Sequence, residues 1–259
     1  MDKISAVVIT HNAAATIGNC IDALQKVSDE IIVIDSFSTD ETAEICKEKN
    51  INFFQQSWPG FGPQKNFGIS KASYNYILSI DADEIISDEL AASINNEKIN
   101  GLTGLYSLLF LHHYYFYFAR HGAARPDTKT RMFDKNKVRW NDREVHEALI
   151  IPEGEKINQL KGYLFHYSYA SISHQINKIN NYTSLGAKQL FKKGKKHFLL
   201  KMIFGPPTNF IINYFFRLGF LDGVHGFVLA KFAAHESFVK YAKLWELYTN
   251  EKIKAANKL

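Results

Sequence analysis

The sequence predicts an α/β fold, Rossmann-like and built on a mostly parallel mixed sheet, with a helical and basic C-terminal extension. Three observations carry that expectation. Strand-length apolar runs alternate with helix-patterned segments through the first 81 residues. Three of those runs end in polar clusters. Beyond about residue 171 the apolar spacing becomes helical and lysines accumulate. Strands alternating with helices imply βαβ units and a parallel sheet covered on both faces.

Ile4–Thr10 (ISAVVIT) is the first strand, followed by a helical segment over 14–26. Glu30–Asp35 (EIIVID) is the second, with a helix over 39–49. Ile51–Gln55 is the third, and Tyr76–Asp81 (YILSID) the fourth, after a helical 64–72. Between 101 and 166 the pattern fits the edge of a mixed sheet. Leu105–Phe118 is rich in aromatics, Thr128–Asp134 alternates, and Lys137–Trp140, Ala148–Ile151 and Tyr163–His166 read as short strands. Helices are expected over Ser173–Lys193, Phe198–Phe204, Asn209–Leu221 and Gly223–Tyr248, with a break at Gly205-Pro206-Pro207. The expected division is an α/β domain over 1–166 and a basic helical region over 167–259.

A chain of 259 residues with 46% hydrophobic content is globular and large enough for a sizeable core. Cys20 and Cys46 have no metal-ligand spacing and read as buried thiols. The start, Met1-Asp2-Lys3, does not read as a signal peptide, and no run of about 18 apolar residues predicts a transmembrane helix. Charge is uneven. Residues 1–160 hold 16 Lys+Arg against 22 Asp+Glu, whereas 161–259 hold 15 against 4. The C-terminal part is therefore expected to face something anionic.

In open α/β sheets, ligands bind beyond the carboxyl ends of the strands. That rule gathers Thr10-His11-Asn12, Asp35-Ser36 and Asp81-Ala82-Asp83 around one cleft. Carboxylates two apart at a strand end can converge on a hard cation, Mg²⁺ or Mn²⁺, that also binds substrate phosphates. The same residues would otherwise be an acidic turn capping a helix. Ser38-Thr39-Asp40-Glu41 reads as a capping box, which leaves Asp35 free for a ligand. In the Trp58–Asn66 segment (WPGFGPQKN), the helix start and Lys65 favour phosphate or base contacts.

The runs ISAVVITHN, DEIIVIDSFSTDETAEI, WPGFGPQKNFGI and YILSIDADE resemble family 2 glycosyltransferases of the GT-A fold. RHGAARPDTKTRMF, the triplet VHE and the tail ending FVKYAKLWE extend the similarity over nearly the whole chain. They resemble most the group that adds a β-1,4-linked glucose to the heptose of a lipopolysaccharide or lipooligosaccharide core.

The resemblance implies a nucleotide-sugar site at Thr10, His11, Asn12, Asp35, Lys65, Asp81, Ala82 and Asp83. Asp35 would read the base, and Asp83, with Asp81, would hold the divalent cation. Glu147 would be the base that deprotonates the acceptor hydroxyl. His146 would position substrate or approach the metal, with Asp142 and Glu144 in reserve. Trp58 reads either as a lid or acceptor contact or as surface packing. Arg125 and Arg131 are expected to meet the diphosphate or a phosphorylated acceptor, and Lys129 reads equally as edge-strand charge. His166 reads as a buried, satisfied histidine or as a further metal contact.

The expected activity is inverting, metal-dependent transfer of a sugar, glucose from UDP-glucose, to a lipid-linked saccharide such as the lipopolysaccharide inner core. A polyprenyl-linked or capsular acceptor, a sugar nucleotidyltransferase and a non-catalytic carbohydrate or membrane module are the alternatives. Lys188, Lys192, Lys193, Lys195, Lys196 and Lys201 beside apolar helices suit an anionic membrane surface. A packed subdomain with a solvated lysine face is the competing account. No nucleic-acid motif accompanies the charge. The expected location is cytoplasmic, peripheral on the inner face of the cytoplasmic membrane.

Overall fold

The computed structural model describes residues 1–141 and 147–256. Contacts divide the chain into two compact units, one of Met1–Leu111 with Asp127–Tyr167, the other of His112–Pro126 with the residues from Ser168 onward.

The first unit is built on strands β1 (Ile4–Thr10), β2 (Glu30–Asp35), β3 (Asn52–Gln55) and β4 (Tyr76–Asp81), parallel to one another. The sheet continues through β5 (Glu84–Ile86), β6 (Leu105–Tyr114), β8 (Asp127–Asp134) and β11 (Ile157–Tyr169), in the order β3-β2-β1-β4-β8-β6-β11-β5. β8 runs antiparallel to both β4 and β6, so the sheet is mixed, as the sequence predicts. β9 (Arg139–Trp140) and β10 (Leu149–Ile150) form a separate antiparallel pair.

Side-chain alternation explains why both faces are covered. Ile4, Ala6 and Val8 of β1 join Ile17, Cys20, Ile21 and Leu24 of α1 (Ala14–Leu24) and Leu90 and Ile94 of α4 (Asp88–Asn100). Val7 and Ile9 point the other way, toward Ile69 of α3 (Phe61–Lys71), Val138 and Trp140. Each fully buried aliphatic side chain of this kind contributes about 1.5–3 kcal/mol.

Two local features differ from the sequence expectation. α3 begins at Phe61, three residues before the predicted start, because Pro63 falls in the first turn, where its missing N–H needs no partner. α2 (Thr42–Glu48) starts later than predicted, and its first turn is not held by a Ser38–Glu41 box. Asp40 instead accepts from the Thr42 N–H at 3.1 Å and from the Ala14 N–H at 3.0 Å.

α3 lies unusually close to the sheet. A Cβ at Gly68 would stand 2.4 Å from Val7 Cγ1 and 2.9 Å from Ile34 Cγ1. Those atoms belong to packed β-branched side chains that cannot swing away.

The second unit is helical. α5 (Ile172–Lys192) packs on α7 (Gly223–Ala256), where Lys243 Nζ donates to the Asn180 carbonyl at 2.6 Å and to Thr183 Oγ1 at 2.9 Å. β7 (Tyr117–Phe118) pairs with the end of β6. The predicted break at Gly205-Pro206-Pro207 is absent: α6 runs unbroken over Phe198–Ile211. Gly205 lies so close to α7 that a Cβ there would be 2.9 Å from Ser237 Oγ. Packing along a neighbouring helix outweighs the local penalty of the two prolines. The helix predicted over Asn209–Leu221 does not form as one element. α6 ends in a wider π-type stretch over Ile212–Phe216, Leu218 is left-handed at φ 59°, and a 3-10 turn over Gly219–Asp222 leads into α7.

Asp222 fixes this corner. Its carboxylate accepts from the N–H groups of Arg120 and His121, each at 3.0 Å, and meets His121 Nδ1 at 2.6 Å. Burial pushes its pKa up, but those hydrogen bonds outweigh the burial and hold it below the ordinary carboxylate value.

Two predictions follow from these contacts. Gly68→Ala gains about 1 kcal/mol of helix propensity, but the overlap with Val7 and Ile34 costs more. A net loss of about 1–2 kcal/mol is expected in urea unfolding. Asp222→Asn is expected to destabilise by about 1–3 kcal/mol at neutral pH, because two part-buried N–H groups lose a charged acceptor. The native pKa is depressed, so this stabilisation is present above the unfolded value and is lost as pH falls through the native one. The gap between wild type and variant, read as Tm across pH, should therefore close on acidification below about pH 4.

Candidate active site

The sheet register brings the three predicted clusters together. Thr10 pairs with Asp35, and Ile9 pairs with Asp81, so all three polar strand ends lie side by side at the carboxyl edge. Asn12 links two of the loops. It sits at φ 51°, a left-handed position that asparagine tolerates, and its Oδ1 accepts from the Thr39 N–H at 2.8 Å. Its own N–H donates to Ser38 Oγ at 2.8 Å. His11 is exposed beside it, and Thr10 Oγ1 is buried without a partner among the described residues.

Asp35 is not free, which corrects the sequence expectation. It is fully buried and accepts from Ser38 Oγ, from the Ser38 N–H at 2.9 Å and from Gln55 Nε2 at 3.2 Å. Its carboxylate is committed to holding the loop after β2. Gln64 Nε2 donates to Ser36 Oγ at 3.1 Å and ties the same loop to α3.

Asp81-Ala82-Asp83 forms the tight connection between β4 and β5 rather than a helix cap. The Asp81 N–H donates to Glu84 Oε2 at 2.9 Å, and the Tyr167 N–H donates to the Asp83 carbonyl at 2.9 Å. The two aspartates have different surroundings. Asp81 Oδ1 is 3.1 Å from Lys65 Nζ and Asp81 Oδ2 is 3.5 Å from Arg131 Nη2. The lysine is within ion-pair reach of Oδ1 but not aligned as a hydrogen bond. Burial pushes the Asp81 carboxyl up, but the Lys65 and Arg131 charges outweigh it and hold it well below the usual carboxylate range. Asp83 is more open, with its Oδ2 3.3 Å from His166 Nε2. Burial lowers the His166 pKa, but the hydrogen bond and charge of Asp83 outweigh that and raise it. His166 is thus a member of the site rather than a buried, self-contained histidine.

Within the first unit Lys65 joins segments far apart in the sequence. It lies one helical turn before Gly68, is almost wholly buried, and places Nζ 3.5 Å from Glu147 Oε1 as well as beside Asp81. The same ammonium lies 4.6 Å above the Trp140 ring. Arg131 is also buried. Its Nη2 is 3.2 Å from Glu84 Oε1, so the guanidinium expected to meet a ligand is engaged by Glu84 and Asp81. Burial and the neighbouring Asp81 push the Glu84 pKa up against the opposing pull of Arg131.

Arg131, Trp140, Glu147 and Leu149 line a cleft of about 360 Å³. Arg131 Nε and Trp140 Nε1 are buried donors with no partner among the described residues. Lys129, half-exposed, lies 3.5 Å from Asp127 and over the Phe110 ring. Trp58 is exposed, edge-on to Phe61 at 4.7 Å. Arg125 is exposed in the second unit. His146, Asp142 and Glu144 lie outside the described residues.

Sequence reasoning did not single out Glu84, Gln55 or Trp140. Glu84 stands in the run that carries Asp81 and Asp83, and its signal was adjacency. Trp140 is fixed by Asn66, whose Nδ2 donates to the Trp140 carbonyl at 2.9 Å and whose Oδ1 accepts from the Trp140 N–H at 3.1 Å. No sequence pattern announces that pair.

The donor set fits a divalent cation of one kind. Among the described residues no group of three or more His, Cys, Asp or Glu side chains is arranged to hold a metal. Asp81 is neutralised by Lys65 and Arg131, which leaves Asp83 with His166 as the available protein ligands. One carboxylate with few protein partners suits an ion that completes its shell with water and substrate phosphates.

An α/β sheet with acidic and cationic side chains gathered at its carboxyl edge is the arrangement of the GT-A fold class. The chain belongs to glycosyl transferase family 2, whose family model matches residues 5–145, and it is a glycosyltransferase. It is 31% identical to the lipopolysaccharide core biosynthesis glycosyltransferase LpsC of Rhizobium meliloti, over 94% of this chain and 92% of that one. It is 32% identical to an uncharacterised glycosyltransferase of Rickettsia typhi, over 95% of this chain and 88% of that one. Glucosyl-3-phosphoglycerate synthase of Mycobacterium tuberculosis, solved with Mn²⁺ and UDP, is similar at 23% identity over 43% of this chain and 44% of that one, with a TM-score of 0.37.

The burial of Lys65 makes a stability prediction. Lys65→Met removes a buried cation from between the part-buried Asp81 and Glu147, and breaking such an ion group by removing one partner is costly. A loss of about 3 kcal/mol is expected in chemical denaturation.

Proposed function

We propose that the protein transfers a sugar, glucose from UDP-glucose, to a lipid-linked saccharide of the lipopolysaccharide inner-core kind, with inversion at the anomeric carbon. The observation that carries this reading is the position of Lys65, whose ammonium lies within 3.5 Å of both Asp81 at the donor-side strand end and Glu147. A donor-side carboxylate and a base belong to one small group of side chains. The relative named as a lipopolysaccharide core glycosyltransferase supports an acceptor of that kind.

On this reading Thr10, His11 and Asn12 border the nucleoside, and Asp35 acts from beneath by fixing the loop that carries Ser36 and Ser38. Asp83, with His166, holds a divalent cation, Mg²⁺ or Mn²⁺. When bound, such an ion neutralises charge on the departing diphosphate. Glu147 accepts the acceptor hydroxyl proton as that oxygen forms its bond to the anomeric carbon and the bond to the diphosphate oxygen breaks. Lys65 holds Glu147 in place from within the protein. The unpartnered donors Arg131 Nε and Trp140 Nε1 suit a ligand rich in oxygen acceptors. Trp58 and Arg125 are the exposed candidates for acceptor contact. No helix among the described residues is long and apolar enough to cross a membrane. A lipid-linked acceptor then requires the basic helical region to meet an anionic membrane surface, on the inner face of the cytoplasmic membrane.

The test is UDP release by the purified chain from a panel of UDP-sugars, with and without Mg²⁺ or Mn²⁺. Chelation and Asp83→Ala should each abolish release. Turnover surviving both removes the metal from the reading. Glu147→Gln should lower transfer by about 10²–10⁴-fold while leaving UDP-sugar affinity nearly unchanged. A wild-type rate in that variant rules out Glu147 as the base. Formation of a sugar nucleotide from a sugar phosphate would mark a nucleotidyltransferase instead.

A further inference from the structure

α6 is built inside out for a helix surrounded by water. None of its 14 residues is fully buried, yet it is predominantly apolar. Its packed side is identified by Gly205, where a Cβ would meet Ser237 of α7 at 2.9 Å. The stripe of Leu200, Ile203, Phe204, Pro207 and Ile211, at helical spacing, is exposed instead. A water-facing stripe is normally polar.

The apolar surface continues around the turn into α7. Phe215, Phe220, Leu221 and Val224 are exposed, and Phe216 is 79% exposed. From 161 to 221 the chain has nine Lys and Arg and no Asp or Glu. Lys192, Lys193, Lys195, Lys196, Lys201 and Arg217 are all exposed. Exposed apolar side chains in a segment whose exposed charge is of one sign match an anionic lipid leaflet, where side chains enter the acyl region and cations meet headgroups. At 14 residues α6 is too short to span a bilayer but long enough to lie in its plane.

We propose that the α6–α7 corner is a monotopic membrane wedge. Phe215, Phe216, Leu221 and Val224 insert among the acyl chains of an anionic leaflet, and α6 lies along the interface with its Leu200–Ile211 stripe inward. This rests on the reading that the acceptor is lipid-linked, and it goes beyond surface adsorption by lysines, because it assigns binding energy to buried apolar area.

The experiment uses the full chain with vesicles of phosphatidylethanolamine, with and without phosphatidylglycerol, in flotation at low and high salt. An environment-sensitive fluorophore on Phe216→Cys reports insertion, since Cys20 and Cys46 are buried. The wedge predicts binding to phosphatidylglycerol vesicles that survives high salt in part, and a blue-shifted fluorophore. Phe216→Asp and Val224→Asp should each weaken binding by about tenfold. Binding lost wholly in high salt and unchanged by either aspartate means adsorption through lysines alone and overturns the wedge. Absence of vesicle binding together with a concentration-dependent dimer that Phe216→Asp dissolves assigns the surface to a second copy and also overturns it. UDP release into solution separates the two readings. It should be untouched by Phe216→Asp, and its failure in the wild-type chain would count against the transferase reading alone.

Discussion

The ion group of Lys65, Arg131, Asp81, Glu84 and Glu147, in which Lys65, Arg131 and Glu84 are buried, is the constraint on which the rest of the first unit depends. Each ion withdrawn from water costs several kcal/mol, recovered only if the partners sit in place. Lys65 comes from α3, Asp81 from the end of β4, Glu84 from β5 and Arg131 from β8. Four elements must therefore dock together before all of these charges are compensated. Gly68 lets α3 approach the sheet closely enough for its lysine to reach, so a core packing detail and the site's electrostatics are one feature.

The group is also unbalanced. Two cations face three carboxylates, and Glu84 is pushed up by burial and by Asp81. Asp83 adds a further carboxylate, met by His166. An excess of negative charge around a partly open aspartate is an environment in which a divalent cation lowers the energy, because it offsets like-charge repulsion without displacing Lys65 or Arg131. This is the physical reason for assigning the proposed ion to Asp83 rather than equally to both aspartates.

Much of this was legible in the sequence, and the limit falls where expected. Strand periodicity and the strand-end rule suffice to bring Thr10, Asp35 and Asp81 to neighbouring positions, because register follows from which residues must be buried. Periodicity says nothing about which polar groups satisfy one another. Asp35 looked free because Ser38, which donates to it twice, reads as part of a helix cap, and because Gln55, its third donor, stands 20 residues away on β3. Arg131 looked available because Asp81 is 50 residues distant. Strand β5 and helix α4 gave weaker signals, although Ser87 caps α4 by accepting from the Leu90 N–H, with Asp88 and Glu89 in the first turn. The prolines of α6 misled for the opposite reason, since local propensity was strong and tertiary packing overrode it.

The second unit shows the same economy of charge with the reverse outcome. Between residues 161 and 222, Asp222 is the one acidic residue. It is buried at the corner, with both oxygens accepting from Arg120, His121 or the His121 ring. The negative charge that would repel an anionic surface is consumed inside the unit, where it fixes the turn. The charge that remains outside between 161 and 222 is lysine and arginine, beside exposed apolar side chains. A helix pair stabilised only by its own packing would have no use for that segregation, because exposed Phe216 and Leu221 gain nothing from water. An interface of lipid acyl chains and phosphates rewards both parts of the pattern at once, so the placement of a single carboxylate bears on what the whole corner faces.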